Sequence, residues 1–339
     1  MNDILLKACK LMEVERRPIW FMRQSGRYLP QYEKMRRGRS LEEIFRDVET
    51  SAELTAIPVK ELGVDAAIVF TDLLTPLSGS GLKVIYGGSG PYVSAVPDVD
   101  ELSKKLRSFD PNSVHYVYET ILLSRAYLSD SVPIIGFAGA PYTLSVYLLG
   151  GIGKDAARVR SLMRRRDAAN ELMDSLQYMV ASYLLEQVRA GARVVALFDT
   201  LSFTLSADHF ERYVLRHTFS LIQEVRKLGV PVIYCVRNPS HLLRHIGLLN
   251  ADVVAVDWTV EISEAWRELG GSVGIQGNLD TSVLLSDKRH LIEEASRILV
   301  STEGRRGHIF SLGHGVHPET PVSLLRFLVD FVKRWGGCS

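Results

Sequence analysis

Short apolar runs, each ending at or just before a Gly, Asp, Asn, Arg or His, recur eight times along this chain, with helical patterns filling most of the intervals. That alternation limits the possible folds more than any other feature. The runs fall at residues 18–22, 66–70, 132–137, 193–198, 232–236, 253–256, 273–276 and 308–312. Most are continuously apolar, as parallel strands covered on both faces are. The clearest helix starts at Ser40, where Glu43 completes a capping box and Leu41, Ile44, Phe45 and Val48 share a face. Two helices are expected within 155–191. Others are expected at 207–228, 241–248, 260–269, 289–300 and, after the last strand, 321–335. Eight strands with a closing helix suit an α/β fold of the (β/α)8 TIM-barrel type better than a doubly wound sheet, which usually has fewer strands. Residues 83–93, with Gly87, Gly88, Gly90 and Pro91, read as a hairpin inserted in the second connection. No linker or low-complexity tract divides the 339 residues, so residues 1–339 are expected to form a single domain.

Charge and cysteine usage narrow the setting. Lys plus Arg number 40 against 39 Asp plus Glu, so no net basic field favours bulk binding to nucleic acid or membrane, and an anionic ligand needs a local basic pocket. Cys9, Cys235 and Cys338 are few, odd in number and far apart, which argues against a disulfide framework and fits a reducing cytosol. The first 18 residues intersperse charges among apolar residues, unlike a signal peptide, and no apolar run reaches the length of a membrane span. A cytoplasmic location is expected.

A TIM barrel builds its active site from the loops at the carboxyl ends of its strands. Those loops here carry Arg23-Gln24-Ser25-Gly26-Arg27-Tyr28, Thr71-Asp72, Gly139-Ala140-Pro141-Tyr142 with Tyr147 beyond, Asp199-Thr200, Arg237-Asn238, Asp257-Trp258, Gly277-Asn278 and Gly313-His314-Gly315. Arg23 and Arg27, four apart, put two guanidiniums on one side of a turn. They either fork onto a ligand's carboxylates or bridge to acids of the chain itself. Asp72 leaves an apolar run after one residue, and either faces the mouth or caps the next helix. Asp199 and Asp257 stand in analogous places, and could equally be acceptors that orient an arginine or a backbone amide. His314 sits between glycines that let a ligand approach, or else bonds neighbouring loops. Tyr142 and Tyr147 are core aromatics with polar tips or donors to a ligand.

Other motifs fail. The segment 150–154, Gly-Gly-Ile-Gly-Lys, is followed by Asp155 where a phosphate-binding loop needs Ser or Thr, and Leu148 stands where its first Gly belongs. Gly79-Ser80-Gly81 lacks a dinucleotide fingerprint's third glycine. The basic clusters at 36–39 and 164–166 read as solvated faces rather than nucleic-acid sites, although the first lies close enough to the arginine motif to steer an anion.

Residues Phe21 to Pro30, FMRQSGRYLP, closely resemble the N-terminal signature of the uroporphyrinogen decarboxylase family. The resemblance continues in order through Phe70-Thr71-Asp72-Leu73-Leu74-Thr75, Gly136 to Leu144, Asp257-Trp258-Thr259, Gln276 to Asp280 and Leu312-Gly313-His314-Gly315. It implies a homodimeric barrel, needing neither metal nor organic cofactor, that removes carbon dioxide from the four acetates of uroporphyrinogen III to give coproporphyrinogen III. By the same resemblance Arg23 and Arg27 hold substrate carboxylates, Asp72 faces the pyrrole N–H groups, Tyr147 is the active-site tyrosine and His314 lies near a propionate. Thr200 stands where the family has serine. The chain departs from the family at Leu201-Ser202-Phe203 and at Val236-Arg237-Asn238-Pro239, which replaces a more Gly-rich loop; both departures concern pocket shape and hence substrate range.

Two rivals follow. A zinc-dependent corrinoid methyltransferase of the same superfamily would need His and Cys ligands on late strands, yet Ile233 stands where a His-x-Cys pair with Cys235 would begin, and His314 has no nearby cysteine. A non-catalytic tetrapyrrole carrier would gain nothing from Asp72, since a buried anion opposes carboxylate binding.

Overall fold

The structure, a computed structural model, describes residues 3–87, 90–129, 132–150 and 155–335. Gly88 of the hairpin, the segment 151–154 of the rejected phosphate-loop motif and Cys338 lie outside the described residues. Among the described residues nine strands occur in the order β1 (Ala67–Ile68), β2 (Lys83–Gly87), β3 (Gly90–Ser94), β4 (Ile134–Gly139), β5 (Val194–Asp199), β6 (Val232–Val236), β7 (Val253–Ala255), β8 (Gly274–Leu279) and β9 (His308–Leu312). Seven of them form one parallel sheet in the order β1-β4-β5-β6-β7-β8-β9, while β2 and β3 pair antiparallel as the expected inserted hairpin. Sequential neighbours joined through helices make this a mixed α/β fold with a curled parallel sheet.

The eighth strand expected at 18–22 is corrected to an extended segment with a single parallel bridge between Ile19 and Phe310. Side chains explain why no ladder forms there. Pro18 has no N–H, the Ile19 N–H donates to the Asp65 carboxylate at 2.9 Å, and the Phe21 N–H donates to Gln24 Oε1 at 3.2 Å. The carbonyls are still used, since Phe310 N–H reaches Pro18 O at 2.9 Å and Asp65 N–H reaches Ile19 O at 2.8 Å. The segment is thereby bonded to β9 and to the approach to β1. The run at 66–70 is also cut short as a strand, because the Phe70 N–H is taken by the Thr55 hydroxyl at 2.9 Å.

The capping box at Ser40 is present, but its helix, Leu41–Arg46, stops before Val48. Asp47 accepts the Thr50 N–H and caps a new helix, Val48–Leu62, so Val48 belongs to the second helix. The 155–191 region forms two helices, Ala156–Met163 and Arg166–Arg189. Within the latter, buried Gln187 bonds both the N–H and the carbonyl of Phe137, which clamps the helix onto β4. Trp20, Phe21 and Phe310 are fully buried where the 18–22 segment meets β9. Each contributes roughly 2–3 kcal/mol of apolar burial to that junction. Among the described residues no helix is long and apolar enough to cross a membrane.

Candidate active site

The arginine loop is held from beneath by Gln24. This buried amide donates to Ala66 O at 2.9 Å and accepts the Phe21 N–H, while its own carbonyl accepts the Tyr28 hydroxyl. With the amide so committed, the exposed side chains of Arg23 and Arg27 leave the fold on one short turn. Arg23 has φ 53°, a left-handed backbone that costs a non-glycine residue roughly 1 kcal/mol, so the surrounding bonds must impose it. One of them is Val316 N–H to Met22 O at 3.1 Å, which ties the loop after β9 to the arginine loop. Gly315 completes the lock: a Cβ there would lie 2.5 Å from Arg23 Cδ, so the arginine stem fills the space that a side chain would occupy.

The ends of β6, β7, β8 and β9 are bracketed by Asp257. Its buried carboxylate accepts the Asn238 N–H at 2.8 Å and both the N–H and hydroxyl of Thr259, at 3.2 and 2.5 Å. Asn278 donates to the carbonyls of Asp257 and Val260 at 3.1 and 2.7 Å. Gly313 lies so close to this corner that a Cβ would approach the Asp257 Cα at 2.9 Å. Asp257 thus orients backbone amides, one of the two roles its position allowed. His314 follows, half-buried, and burial first, then the charges of Arg23 and Arg237, push its imidazole down to about 4. At neutral pH it is an uncharged hydrogen-bonding group facing cations. No carboxylate among the described residues pairs with Arg23, Arg27 or Arg237, in contrast to Arg16, Arg39 and Arg326, which bond Asp65, Asp47 and Glu61.

Asp72 leaves the end of β1. Its Oδ1 accepts the Leu74 N–H at 2.9 Å and its carbonyl the Thr75 N–H at 3.2 Å, so it does shape the following turn. It remains only partly buried, and its charge acts on a group of phenols. Burial, and after it the Asp72 charge, holds the Tyr86 hydroxyl well above its ordinary value, and Asp72 adds to the larger effect of burial at Tyr183. Asp72 shapes this turn without capping the next helix, Thr75–Gly79, whose N-cap is Leu74 with no side-chain cap. Tyr147 lies on the helix Pro141–Leu149 after β4 and is nearly buried, whereas Tyr142 spends its hydroxyl on Thr204 at 2.8 Å and belongs to the scaffold.

The uroporphyrinogen decarboxylase (URO-D) family model matches residues 1–335. A uroporphyrinogen decarboxylase of Carboxydothermus hydrogenoformans is 38% identical over 347 residues, covering 100% of this chain and 98% of its own length. One from Chloroflexus aurantiacus is 40% identical, covering 99% and 96%. The chain belongs to the uroporphyrinogen decarboxylase family. Among solved structures, a methyltransferase from Methanosarcina mazei superposes with a TM-score of 0.80 over 98% of both chains at 18% identity, a likeness of fold alone.

Thr200, which by the resemblance stands at the family's serine position, lies partly buried in the turn after β5. Asp199 faces no arginine among the described residues, but the Thr143 backbone N–H acts on it, the amide-orienting role its position allowed. It accepts the hydroxyls of Thr143 at 2.7 Å and Tyr234 at 2.5 Å inside the sheet, and burial pushes it up to about 6 against the pull of those hydroxyls. This set escaped the sequence reading because Tyr234 lies within a strand, with nothing to mark its hydroxyl as inward. Cys235, which the methyltransferase reading would use, is enclosed in β6 and its thiol is held protonated by burial. Among the described residues no group of three or more His, Cys, Asp or Glu is placed to hold a metal ion. A cavity of about 410 Å³ opens behind Trp258, but Glu261, Glu264 and Glu268 line it. Arg267 lines it too, and Glu261 and Glu268 are paired with Arg297 and Arg244, so its lining offers a polycarboxylate no excess of positive charge.

Proposed function

We propose that the chain decarboxylates the four acetate side chains of uroporphyrinogen III to methyl groups, giving coproporphyrinogen III, as a carboxy-lyase of tetrapyrrole synthesis. The observation that carries this reading is the whole-chain family match together with arginines at the strand ends that pair with no acid among the described residues. Arg23 and Arg27 are assigned to substrate carboxylates, His314 to a propionate, and Tyr147 and Thr200 to the substrate's edge. Asp72 is assigned the catalytic charge.

The chemistry asks little of the protein beyond charge and position. A pyrrole protonated at a ring carbon carries a positive charge and accepts the electron pair of the bond to the departing carboxylate. Carbon dioxide leaves, the resulting methylene carbon takes a proton to become methyl, and the proton first added to the ring carbon is given up, which restores the neutral pyrrole. The tetrapyrrole supplies its own electron sink, so no cofactor is required by the step. Asp72 stabilises the transient cation at short range, a fixed charge aimed where charge develops. Arg23 or Arg27 orients the reacting acetate, and one of them passes on the ring proton.

The same proposal takes the 18–22 segment as the eighth stave of a closed barrel. Its carbonyl bonds to Phe310 on one side and Asp65 on the other support this. It further takes residues 1–339 as one domain, and a cytoplasmic homodimer as the working form. Anaerobic incubation with uroporphyrinogen III, followed by chromatography of the oxidised products, tests the activity. Stepwise appearance of the seven-, six-, five- and four-carboxylate products is expected. Binding without loss of a carboxylate would overturn the enzyme in favour of a carrier.

A further inference from the structure

The cations at the mouth are not confined to the two arginines of the N-terminal loop. Arg237 follows β6 at the position where the chain departs from its family's Gly-rich pattern, and it is partly buried. Its backbone is pinned on both sides. Val236 ends the β6 ladder, and the next residue, Asn238, gives its N–H to the buried Asp257 carboxylate while adopting φ 44°. Arg237 pairs with no carboxylate among the described residues, so its charge is left for a ligand.

The neighbours say what kind of ligand that is. Gly315 holds the Arg23 stem against the loop after β9, and Gly313 presses the same loop onto the Asp257 corner that holds Asn238. Arg23, His314 and Arg237 therefore come from three different strand ends that share one bracket. The charges of both arginines fall on His314. An uncharged imidazole flanked by two unpaired guanidiniums is a donor set for a carboxylate.

We propose that Arg237, with Arg23 and His314, forms a second carboxylate seat, which holds a carboxylate on a ring of the substrate other than the ring being decarboxylated. The inference rests on the reading of the chain as a uroporphyrinogen decarboxylase. A group that binds a carboxylate unchanged through the chemical step stabilises ground state and transition state alike, so its loss appears in KM and not in kcat.

The test compares Arg237→Met, which keeps the stem, with Arg237→Lys, which keeps the charge. Arg237→Met is expected to raise KM for uroporphyrinogen III roughly tenfold with kcat lowered less than about threefold, and Arg237→Lys to recover most of the loss. A general structural role would lower both parameters and would not be rescued by lysine. Binding of oxidised uroporphyrin, followed by tryptophan fluorescence, gives a readout that does not depend on turnover. If wild type turns over and Arg237→Met matches it in KM and in porphyrin affinity, the seat is wrong and the enzyme stands. If wild type does not turn over, the enzyme reading falls, and equal porphyrin affinity of the two proteins would remove the seat as well.

Discussion

The two sides of the mouth carry opposite charge and are built in different ways. On the β6-to-β9 side, Asp257, Asn278 and two glycines spend themselves on backbone groups, and among the described residues no carboxylate pairs with Arg23 or Arg237. On the β1-to-β4 side Asp72 shapes its own turn and acts, together with Glu42 and Arg46, on phenols raised by burial. Had the two signs been placed side by side they would have neutralised each other. In the proposed chemistry each acts on the ligand: the cations on its carboxylates, the anion on a positive charge that exists only during reaction.

The largest effect that can break this comparison is at Asp72. Asp72→Asn is expected to lower kcat on the order of 10²- to 10³-fold, as loss of one preorganised charge does, with porphyrin affinity changed only a few-fold. Arg23→Ala is expected to weaken both affinity and turnover. Near-normal kcat in Asp72→Asn would refute the assignment of the anion to the transition state. Gly315→Ala sharpens the other side. Its Cβ would displace the Arg23 stem, which can swing outward without unfolding the loop, so KM should rise about tenfold at unchanged melting temperature. A variant with wild-type kinetics would show that the lock on Arg23 is not what positions the cation.

The smallest effect concerns pH. His308 on β9, buried and bonded to Thr302 and Gly277, is pushed down to about 3 by burial, and His314 to about 4. Both stay neutral in the folded protein while the unfolded chain takes up their protons below the ordinary value near 6.5, so each lowers stability as pH falls through the window from about 6.5 towards 4. Asp199 has the opposite sign. Its folded value near 6 lies above the unfolded one, so it gains stability as pH falls from about 6 towards 3.8. Two histidines against one aspartate leave a net loss on acidification. His308→Asn should make the fall between pH 6 and 4 shallower by up to about 1.4 kcal/mol per pH unit, one proton's worth, measured by urea unfolding. An unchanged slope would mean that His308 does not resist protonation in the fold.

What the sequence determined by itself was the alternation, the hairpin, the capping box and the identity of the strand-end residues, because apolar runs and their terminators are local properties. The FMRQSGRYLP run, with the later matching segments, also sufficed to indicate the family. Tertiary structure alone decided that the 18–22 segment bonds its neighbours through carbonyls while its N–H groups go to Asp65 and Gln24, since those acceptors lie elsewhere in the chain or across a turn. It likewise decided that Val48 begins a second helix, because Asp47 could cap only once Arg39 and Thr50 were beside it. Asp257 was legible as an acceptor but its partner Asn238 was not, and Arg237 read only as a departure from pattern. Its place beside His314 depends on a bracket spanning 19 residues from Asn238 to Asp257 and on two close glycine contacts, which no local pattern records. The arginines and aspartate could be named from sequence, but whether a charge is answered or left for a ligand depends on every residue packed around it.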